Sequence, residues 1–265
     1  MNRQRVVGLW VRWRRRTGGE LASSSVPLDD ADVTRVLLVA AHPDDLDFGA
    51  AGTVAALTAR GVAVTYLLCT RGEQGGFDDT PREQMPAIRE REQRAAAAEL
   101  GVTDVRFLDG FRDGWLEPGH DLQRAIVRVI RQVRPDRMFS QSPERNWERI
   151  GASHPDHLAA GEAAIRAVYP AARNAFSYPE LLHQEQLEPW TVREVWLMAH
   201  HTPDHHVDIT DTFERKVAAL RAHASQTGHM SELEQLLRGW GELTAERRGL
   251  PEGRLAEAFR VINTA

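Results

Sequence analysis

The sequence predicts an α/β fold in which helices cover both faces of a mostly parallel sheet. Two observations lead to this prediction: strand-like apolar runs alternate with helical patterns from residue 35 onward, and glycine or proline follows several of the helical segments. The predicted strands span residues 36–40, 63–69, 105–108, 137–140 and 194–199. The predicted helices span residues 50–60, 82–100, 122–133 and 156–168.

Each element has a local signal. The first two strands carry continuous apolar runs, Gly61 and Gly101 follow the first two helices, and Pro135 follows the third. Residues 170–192 are rich in proline and aromatic residues, which predicts a long surface connection of the kind that shapes a substrate cleft. Residues 213–246 are charged and predicted to be mainly helical.

Composition indicates a globular protein and excludes several classes of partner. The chain has 265 residues, of which 42% are hydrophobic and 27% charged, and its formal charge of -5 does not favour a nucleic-acid partner. A single cysteine, Cys69, cannot form an internal disulfide, which is compatible with the reducing cytoplasm, and we expect a cytoplasmic protein.

The first residues differ from the rest of the chain. Six arginines lie within the first sixteen residues around an apolar run that is too short for a signal peptide or a membrane span. We therefore expect residues 1–30 to be a disordered basic leader, residues 31–265 to be one domain with a helix-rich C-terminal part, and no integral membrane segment. The alternative for the leader is a basic amphipathic segment that contacts a membrane or a partner.

The stretch AHPDD, at residues 41–45, follows the first predicted strand, where open parallel sheets bind ligands. Nucleotide-binding proteins place glycines here, so a histidine followed by two aspartates argues against a dinucleotide site. On a tight turn, His42 and Asp45 are close enough to bind one cation while Asp44 points elsewhere, although the residues alone leave open which aspartate is the ligand. The alternative is that the aspartates cap the following helix.

A second cluster, SHPDH at residues 153–157, follows the fourth predicted strand and also precedes a helix. His154 and His157 can therefore face the same cleft as His42 and Asp45, and two such clusters are hard to explain by structural roles alone. Three nitrogen or oxygen ligands and a water molecule are typical of catalytic zinc, which lowers the pKa of the water so that a neighbouring carboxylate can take its proton. The pattern predicts hydrolysis of a carbonyl or a related electrophile.

These motifs resemble those of the LmbE/PIG-L family of zinc-dependent deacetylases, which have a Rossmann-like fold. The resemblance spans about residues 35–228 and rests on several blocks in the same order, namely AHPDD, GT, TRGEQG, RERE before LGV, FRDG, RPD, HPDH and HASQ. It implies an LmbE-like deacetylase fold and a hydrolase that cleaves a linear amide C–N bond. Some members of the family have an acidic residue immediately after HPDD, whereas here Leu46 follows HPDD and Asp47 comes next, as in another branch of the family. This difference argues against assigning a mycothiol-type substrate to this chain.

The resemblance also implies roles for individual residues. One Zn²⁺ per chain, or another divalent metal, would be bound by three residues: His42, Asp45 and His157. Asp44 would be the general base for the metal-bound water. His154, as an imidazolium, would stabilise the oxyanion and protonate the leaving amine, and Asp156 would orient this histidine or tune its charge.

Two further residues, Arg89 and Asp113, match positions that hold sugar hydroxyls in the family. The function that we expect is removal of the acetyl group from an N-acetylated amino sugar or glycoconjugate, a small molecule. The alternative is a non-catalytic metal- or carbohydrate-binding module of the same fold. The sequence leaves open whether the chain forms a homo-oligomer.

A segment richer in histidine, HHTPDHH at residues 200–206, is expected to be a surface loop or part of the cleft rim. The alternative for its four histidines, His200, His201, His205 and His206, is a second metal site. His223 of HASQ is expected either to pack in a helix or to form a hydrogen bond near the site. Trp115 and Trp147 are expected to form core, cleft wall or a stacking surface for a sugar.

Overall fold

The structure is a computed structural model that describes residues 27–265. Its strands form one sheet in the order β3-β2-β1-β4-β5-β7-β6, in which β1 to β5 are parallel and β7 is antiparallel to both neighbours. The strands are β1 (Arg35–Ala40), β2 (Ala63–Leu68), β3 (Asp104–Phe107), β4 (Arg137–Gln141), β5 (Glu194–Met198), β6 (His205–Asp208) and β7 (Ala256–Asn263). The helices are α1 (Asp45–Ala59), α2 (Met85–Glu99), α3 (His120–Val133), α4 (Pro155–Arg166), α5 (Pro179–His183), α6 (Phe213–Ala222), α7 (Ala224–Thr227) and α8 (Leu233–Arg247).

Helices cover both faces of the sheet because side chains of a strand alternate between its faces. In β1, Val36 and Leu38 pack with α1 and α2, whereas Leu37 and Val39 pack with α3 and α4. The predicted fold class and the five predicted strands are confirmed. Among residues 27–265, no helix is long and apolar enough to cross a membrane.

The first helix begins earlier than predicted, at Asp45 instead of residue 50. The carbonyl of Asp44 accepts the amide hydrogens of Asp47 and Phe48, which closes the first turn immediately after the HPDD motif. Acidic residues in this turn also face the positive end of the helix dipole. Glycine lets α1 pack closely on the sheet, because a Cβ on Gly49 would lie 2.6 Å from the sulfur of Met198 in β5.

Two strands were not predicted, namely β6 and β7. The charged and polar residues Glu257, Arg260 and Asn263 interrupt the apolar pattern of β7, and β6 consists of only four residues. These antiparallel strands extend the sheet beyond β5, at the end away from β3.

Residues 170–192 extend along α3. Trp190 donates from its indole N–H to the carbonyl of Pro135, two residues before β4, so this part of the segment lies at the amino ends of the strands. The buried guanidinium of Arg131, near the end of α3, donates to four carbonyls of the segment, those of Ala171, Ala172, Asn174 and Ser177. The hydroxyl of Tyr178 donates to the carbonyl of His120 at the start of α3, so the expectation that this segment shapes a substrate cleft stays a prediction.

The domain begins earlier in the sequence than the predicted boundary at residue 31. Residues 1–26 of the predicted leader lie outside the described residues. Leu28, however, donates its amide hydrogen to the carboxylate of Glu194, and Asp30 accepts 2.7 Å bonds from Arg60 and Arg137. The domain therefore includes residues at least as early as Leu28.

The topology places a crevice beside β1. The chain leaves β1 for β2 and β3 on one side and then returns to β4 and β5 on the other. Loops that follow β1 and β4 therefore diverge at the carboxyl ends of these neighbouring strands, which is where doubly wound sheets bind ligands. The HPDD motif follows β1, and HPDH follows β4.

A substitution at Gly161 tests the close packing of α4 against the end of β4, which positions the SHPDH motif. A Cβ at this position of α4 would lie 2.4 Å from the carbonyl oxygen of Gln141, a backbone atom that cannot rotate away. We expect Gly161→Ala to lower the free energy of unfolding by about 1–3 kcal/mol in urea denaturation.

A matched control lies on α8, where an added Cβ at Gly239 meets nothing within 4 Å in the described part of the chain. Gly239→Ala should raise the free energy of unfolding by about 0.5–1 kcal/mol, because alanine favours the helix. Equal effects of the two substitutions would contradict the close contact between α4 and β4.

Candidate active site

Residues of the two motifs meet at the carboxyl ends of β1 and β4. The rings of His42, His154 and His157 lie 5.1–5.3 Å apart, centre to centre, and each offers a nitrogen within 4.8 Å of the others. His42 belongs to the turn after β1, His154 immediately precedes α4, and His157 lies in its first turn. The fold thus brings together the two clusters that are 112 residues apart in the sequence, counting from His42 to His154.

The two ring nitrogens of His42 have different partners. Its Nε2 lies 3.0 Å from Oδ1 of Asp113 and 3.1 Å from Oδ2 of Asp156, so it carries a hydrogen that these carboxylates accept. Its Nδ1 faces Oδ2 of Asp45 at 3.3 Å. Burial lowers the pKa of His42, but the charges and hydrogen bonds of the three aspartates outweigh it and raise the pKa to about 12. The aspartates therefore favour positive charge at this position.

Asp45 links His42 to His157. Its Oδ1 lies 3.0 Å from Nε2 of His157, while its Oδ2 faces His42 and also accepts the backbone N–H of His42 at 2.8 Å. At zinc–ligand distances of about 2.0–2.1 Å, two ligand atoms of a tetrahedral site lie about 3.3 Å apart. The two histidines face different oxygens of Asp45, whereas the ligand atoms of His42, His154 and His157 all lie within 4.8 Å of one another. The assignment of His42, Asp45 and His157 as the metal ligands stays a prediction, and the carboxylate behind His42 is of the kind usual for metal-binding histidines.

His154 differs from His157 in its hydrogen bonding. Its Nδ1 accepts the backbone N–H of Asp156 at 3.2 Å, so in the neutral ring the hydrogen is on Nε2. Burial and the charges of His42 and His157 lower the pKa of His154, which favours this neutral form. His154 is therefore suited to donate a hydrogen bond from Nε2. The imidazolium form expected for His154, which would donate from the same Nε2, stays a prediction.

Of the two roles expected for Asp156, the structure shows no side-chain contact that orients His154, whereas the charge of Asp156 acts to raise the pKa of His154. The carboxylate of Asp156 points to His42 and accepts the backbone N–H groups of Gly114 at 2.7 Å and Leu116 at 3.3 Å, which hold the β3–α3 loop. Only the backbone of Asp156 contacts the ring of His154. Asp156 thus orients a predicted metal ligand instead.

Asp44 lies next to the predicted ligands but has its own partners. Its Oδ2 accepts a 3.1 Å bond from Nη2 of Arg89. Burial raises the pKa of the Asp44 carboxyl to about 6, although the charge of Arg89 opposes this shift. A carboxylate with a pKa near neutrality is suited to act as a general base.

The two predicted sugar-binding residues are buried, and their role toward a sugar stays a prediction. Arg89 is 4% exposed and donates to the carbonyls of Gly72 and Pro43 besides Asp44. Asp113 is 6% exposed, and its second carboxylate oxygen accepts the backbone N–H of Gln74 at 2.9 Å. In this structure the two residues hold Asp44 and His42, respectively.

Two buried polar residues near Asp44 were not predicted from the sequence, namely Gln93 and Asp47. The amide of Gln93 accepts the backbone N–H of Asp44 at 2.9 Å and donates to Asp47 at 2.7 Å. The same oxygen of Asp47 lies 2.8 Å from Nε2 of His223, which settles the choice left for His223 in favour of a hydrogen bond near the site. The spacing of four residues between Arg89 and Gln93, which puts both on one face of α2, is the signal that could have found Gln93.

The histidine-rich segment divides into two parts. His205 and His206 pair with β7 as part of β6, whereas His200 and His201 lie after β5 and approach Glu144 at 3.3 and 3.5 Å. Nδ1 of His200 accepts the backbone N–H of Thr202, so its Nε2 carries a hydrogen toward Glu144. The ligand atoms of Glu144, His200 and His201 lie within 4.8 Å of one another, so the alternative of a second metal site stays a prediction for His200 and His201.

Comparisons with known proteins show similarity to a family of deacetylases. The sequence model of a family described as PIG-L, GlcNAc-PI de-N-acetylase, matches residues 37–168. A diacetylchitobiose deacetylase of Thermococcus kodakarensis is 37% identical over 196 residues, which are 74% of this chain and 71% of that protein. A probable N-acetyl-alpha-D-glucosaminyl L-malate deacetylase 2 of Bacillus anthracis is 34% identical over 203 residues, covering 72% and 80% of the two chains.

A solved structure has the same fold. The N,N'-diacetylchitobiose deacetylase from Pyrococcus horikoshii, in complex with an inhibitor, superposes with a TM-score of 0.79 at 32% identity. The match covers 88% of this chain and 85% of that one. The predicted LmbE-like architecture is therefore confirmed.

Asp156→Asn tests whether the carboxylate behind His42 supports metal binding. The variant keeps the shape of the side chain but removes its charge, so we expect the affinity for Zn²⁺ to fall about 10- to 100-fold in calorimetric titration. Asp121→Asn, which removes an exposed carboxylate on α3, should leave the affinity unchanged. Unchanged affinity in Asp156→Asn would show that His42 does not need this partner.

His223 should make the stability of the fold depend on pH. Burial lowers the pKa of His223, but the hydrogen bond and charge of Asp47 outweigh it and raise the pKa above its ordinary value. Because a raised pKa favours the protonated form in the folded state, this stabilisation is complete below the ordinary histidine pKa of about 6.5 and is lost as the pH rises through the raised value.

Glutamine can keep a hydrogen bond to Asp47 but carries no charge. We therefore expect His223→Gln to lower the free energy of unfolding more at about pH 6 than at about pH 9, both measured in urea with metal chelated. A loss that is larger at the higher pH would contradict the raised pKa.

Proposed function

This chain belongs to the PIG-L/LmbE family of metal-dependent deacetylases, and we propose that it removes the acetyl group from an N-acetylglucosamine glycoconjugate with zinc as its metal. The observation that carries the proposal is the arrangement of Asp44 beside the group formed by His42, Asp45 and His157, with His154 nearby as a neutral donor. The relatives named above act on N-acetylglucosamine-containing molecules, which supports the substrate class.

Zinc fits the donor set of two imidazoles and one carboxylate, which is also that of open catalytic zinc sites. His42 would bind through Nδ1, because its Nε2 hydrogen is taken by Asp113 and Asp156. When bound, zinc polarises an amide carbonyl and lowers the pKa of a water molecule. Another divalent metal would use the same three side chains.

The protein groups then move one proton. Asp44 accepts a proton from the attacking water, whose oxygen forms a bond to the acetyl carbonyl carbon. His154 donates a hydrogen bond from Nε2 to the carbonyl oxygen as negative charge develops on it. As the C–N bond breaks, Asp44 returns the proton to the amine nitrogen, and the products are acetate and a free amino sugar.

Arg89 and burial act in opposite directions on the pKa of Asp44, the group that accepts the proton from water and returns it to the amine. The guanidinium of Arg89 stabilises the carboxylate, while burial opposes the charge and raises the pKa of Asp44 to about 6. A group with this pKa can accept a proton and release it at neutral pH. The presence of a carboxylate beside the proposed metal ligands favours an enzyme over a non-catalytic binding module, which needs no base beside its metal.

The other expectations remain predictions. These are the cytoplasmic location, the single domain, the stacking of sugars on Trp115 or Trp147, and assembly into a homo-oligomer. Trp115 and Trp147 are 69% and 81% exposed, which excludes a role in the core.

Asp44→Asn tests the proposed function most directly within this site. The amide cannot accept the proton, so we expect amine release from N-acetylglucosamine glycosides to fall on the order of 10²- to 10⁴-fold. Zinc binding, measured by metal analysis after dialysis, should persist at one ion per chain because Asp44 is not a proposed ligand.

The matched control is Asp109→Asn, which removes an exposed carboxylate from the loop after β3. It should release amine at the wild-type rate. A wild-type protein that binds zinc but releases no amine from any N-acetylated sugar would refute the deacetylase proposal in favour of a binding module.

A further inference from the structure

Asp44 occupies a backbone conformation that most residues avoid. Its φ of 84° and ψ of -29° lie in the left-handed region, whereas the residue before a helix ordinarily has an extended backbone. For a residue with a Cβ, the left-handed conformation costs about 1–2 kcal/mol. Something in the surrounding structure must therefore hold it.

The conformation changes what the carboxylate of Asp44 can do. An aspartate before a helix usually turns its side chain to accept an amide hydrogen of the first turn. Within residues 27–265, Asp44 makes no such capping bond, and its carboxylate points to Arg89 instead. The left-handed backbone thus keeps the proposed base out of the capping position, which was the structural alternative for this motif.

Gln93 fixes this backbone from the neighbouring helix. It is fully buried, its Oε1 accepts the amide hydrogen of Asp44 at 2.9 Å, and its Nε2 donates to Asp47 at 2.7 Å. The two bonds require opposite ends of the amide, so the side chain cannot flip without losing both. Because the bond to Asp44 reaches its main chain, Gln93 acts on the backbone, while Arg89 acts on the carboxylate.

Asp47 and His223 hold Gln93 in turn. Both are fully buried, and Nε2 of His223 lies 2.8 Å from the same oxygen of Asp47 that accepts the bond from Gln93. The hydroxyl of Tyr66 approaches the other oxygen at 3.3 Å. Four elements, α1, α2, β2 and the start of α7, thus meet in one buried polar network that ends at the amide hydrogen of Asp44.

We propose that Gln93, oriented by Asp47 and His223, is a positioning residue that keeps the base Asp44 in its left-handed conformation and so prevents its carboxylate from capping α1. The role in the reaction rests on the proposed deacetylase function, whereas the conformational role does not. Misplacement of a catalytic group by about 1 Å can cost on the order of 10²-fold in rate. Loss of Gln93 should therefore reduce turnover without removing any group that touches the substrate.

The experiment compares Gln93→Met, which removes both hydrogen bonds, with wild type in the zinc-loaded protein. Hydrogen exchange of the amide of Asp44, followed by NMR or by mass spectrometry of peptides spanning residues 41–46, should become faster, because its acceptor is gone. With N-acetylglucosamine glycosides, kcat should fall about 10- to 100-fold with KM unchanged, and zinc should still bind at one ion per chain.

Two further variants separate positioning from general destabilisation. Gln93→Asn keeps a polar side chain that is too short to reach Asp44, so it should show the same loss of kcat even if the methionine variant folds poorly. Thr53→Val is the matched control, since it removes a buried 2.6 Å bond to Glu257 elsewhere on α1. It should lower the melting temperature but leave both kcat and the exchange of Asp44 unchanged.

Unchanged exchange of Asp44 in both Gln93 variants would overturn the proposal, because Gln93 would then not hold this backbone. Faster exchange with unchanged kcat would overturn it as well, because the conformation would then not matter for the reaction. A kcat loss shared by Thr53→Val would show a general effect of destabilisation and contradict positioning. A wild-type protein without deacetylase activity would refute the proposed function alone, and exchange would still decide whether Gln93 holds Asp44.

Discussion

The position of one imidazole, that of His42, determines how the rest of the site is arranged. Its Nε2 is bound by Asp113 from the β3–α3 loop and by Asp156 from the first turn of α4, while its Nδ1 faces Asp45. Three segments that are distant in sequence therefore meet at one ring at the end of β1. The carboxylates on its far side leave Nδ1 as the nitrogen that can bind a metal ion.

Hydrogen bonds to main-chain groups then separate the roles of neighbouring residues. His154 and His157 lie in one short motif, but the amide hydrogen of Asp156 occupies Nδ1 of His154 and makes that ring a donor. Likewise, Asp44 and Asp45 are adjacent, but the left-handed backbone of Asp44 turns its carboxylate to Arg89 while Asp45 faces the histidines. Two histidines, and likewise two aspartates, thus have different hydrogen-bond partners and different proposed roles because of the backbone groups around them.

The parallel strands could be predicted from the sequence, because the apolar run of a strand is a pattern of neighbouring residues. The meeting of the two motifs could be predicted as well, because the carboxyl ends of parallel strands lie at the same edge of the sheet. The partner of Asp156 could not, since it depends on a loop whose Gly114 is 42 residues away. The burial of Arg89 and Asp113 could not be predicted either, because it depends on how α2 and the β3–α3 loop pack over the site. The same holds for Gln93, whose role follows from the backbone angles of Asp44.

A crystal structure of the zinc-loaded protein would test the proposed roles of the two nitrogens of His42. We expect zinc bound by Nδ1 of His42, Asp45 and His157, with Nε2 of His42 still bonded to Asp113 and Asp156. Zinc bound instead by Nε2 of His42 together with Asp113 and Asp156, or by His154 in place of Asp45, would contradict this expectation. Either of those arrangements would mean that the two nitrogens of His42 have the opposite roles or that His154 is not the donor.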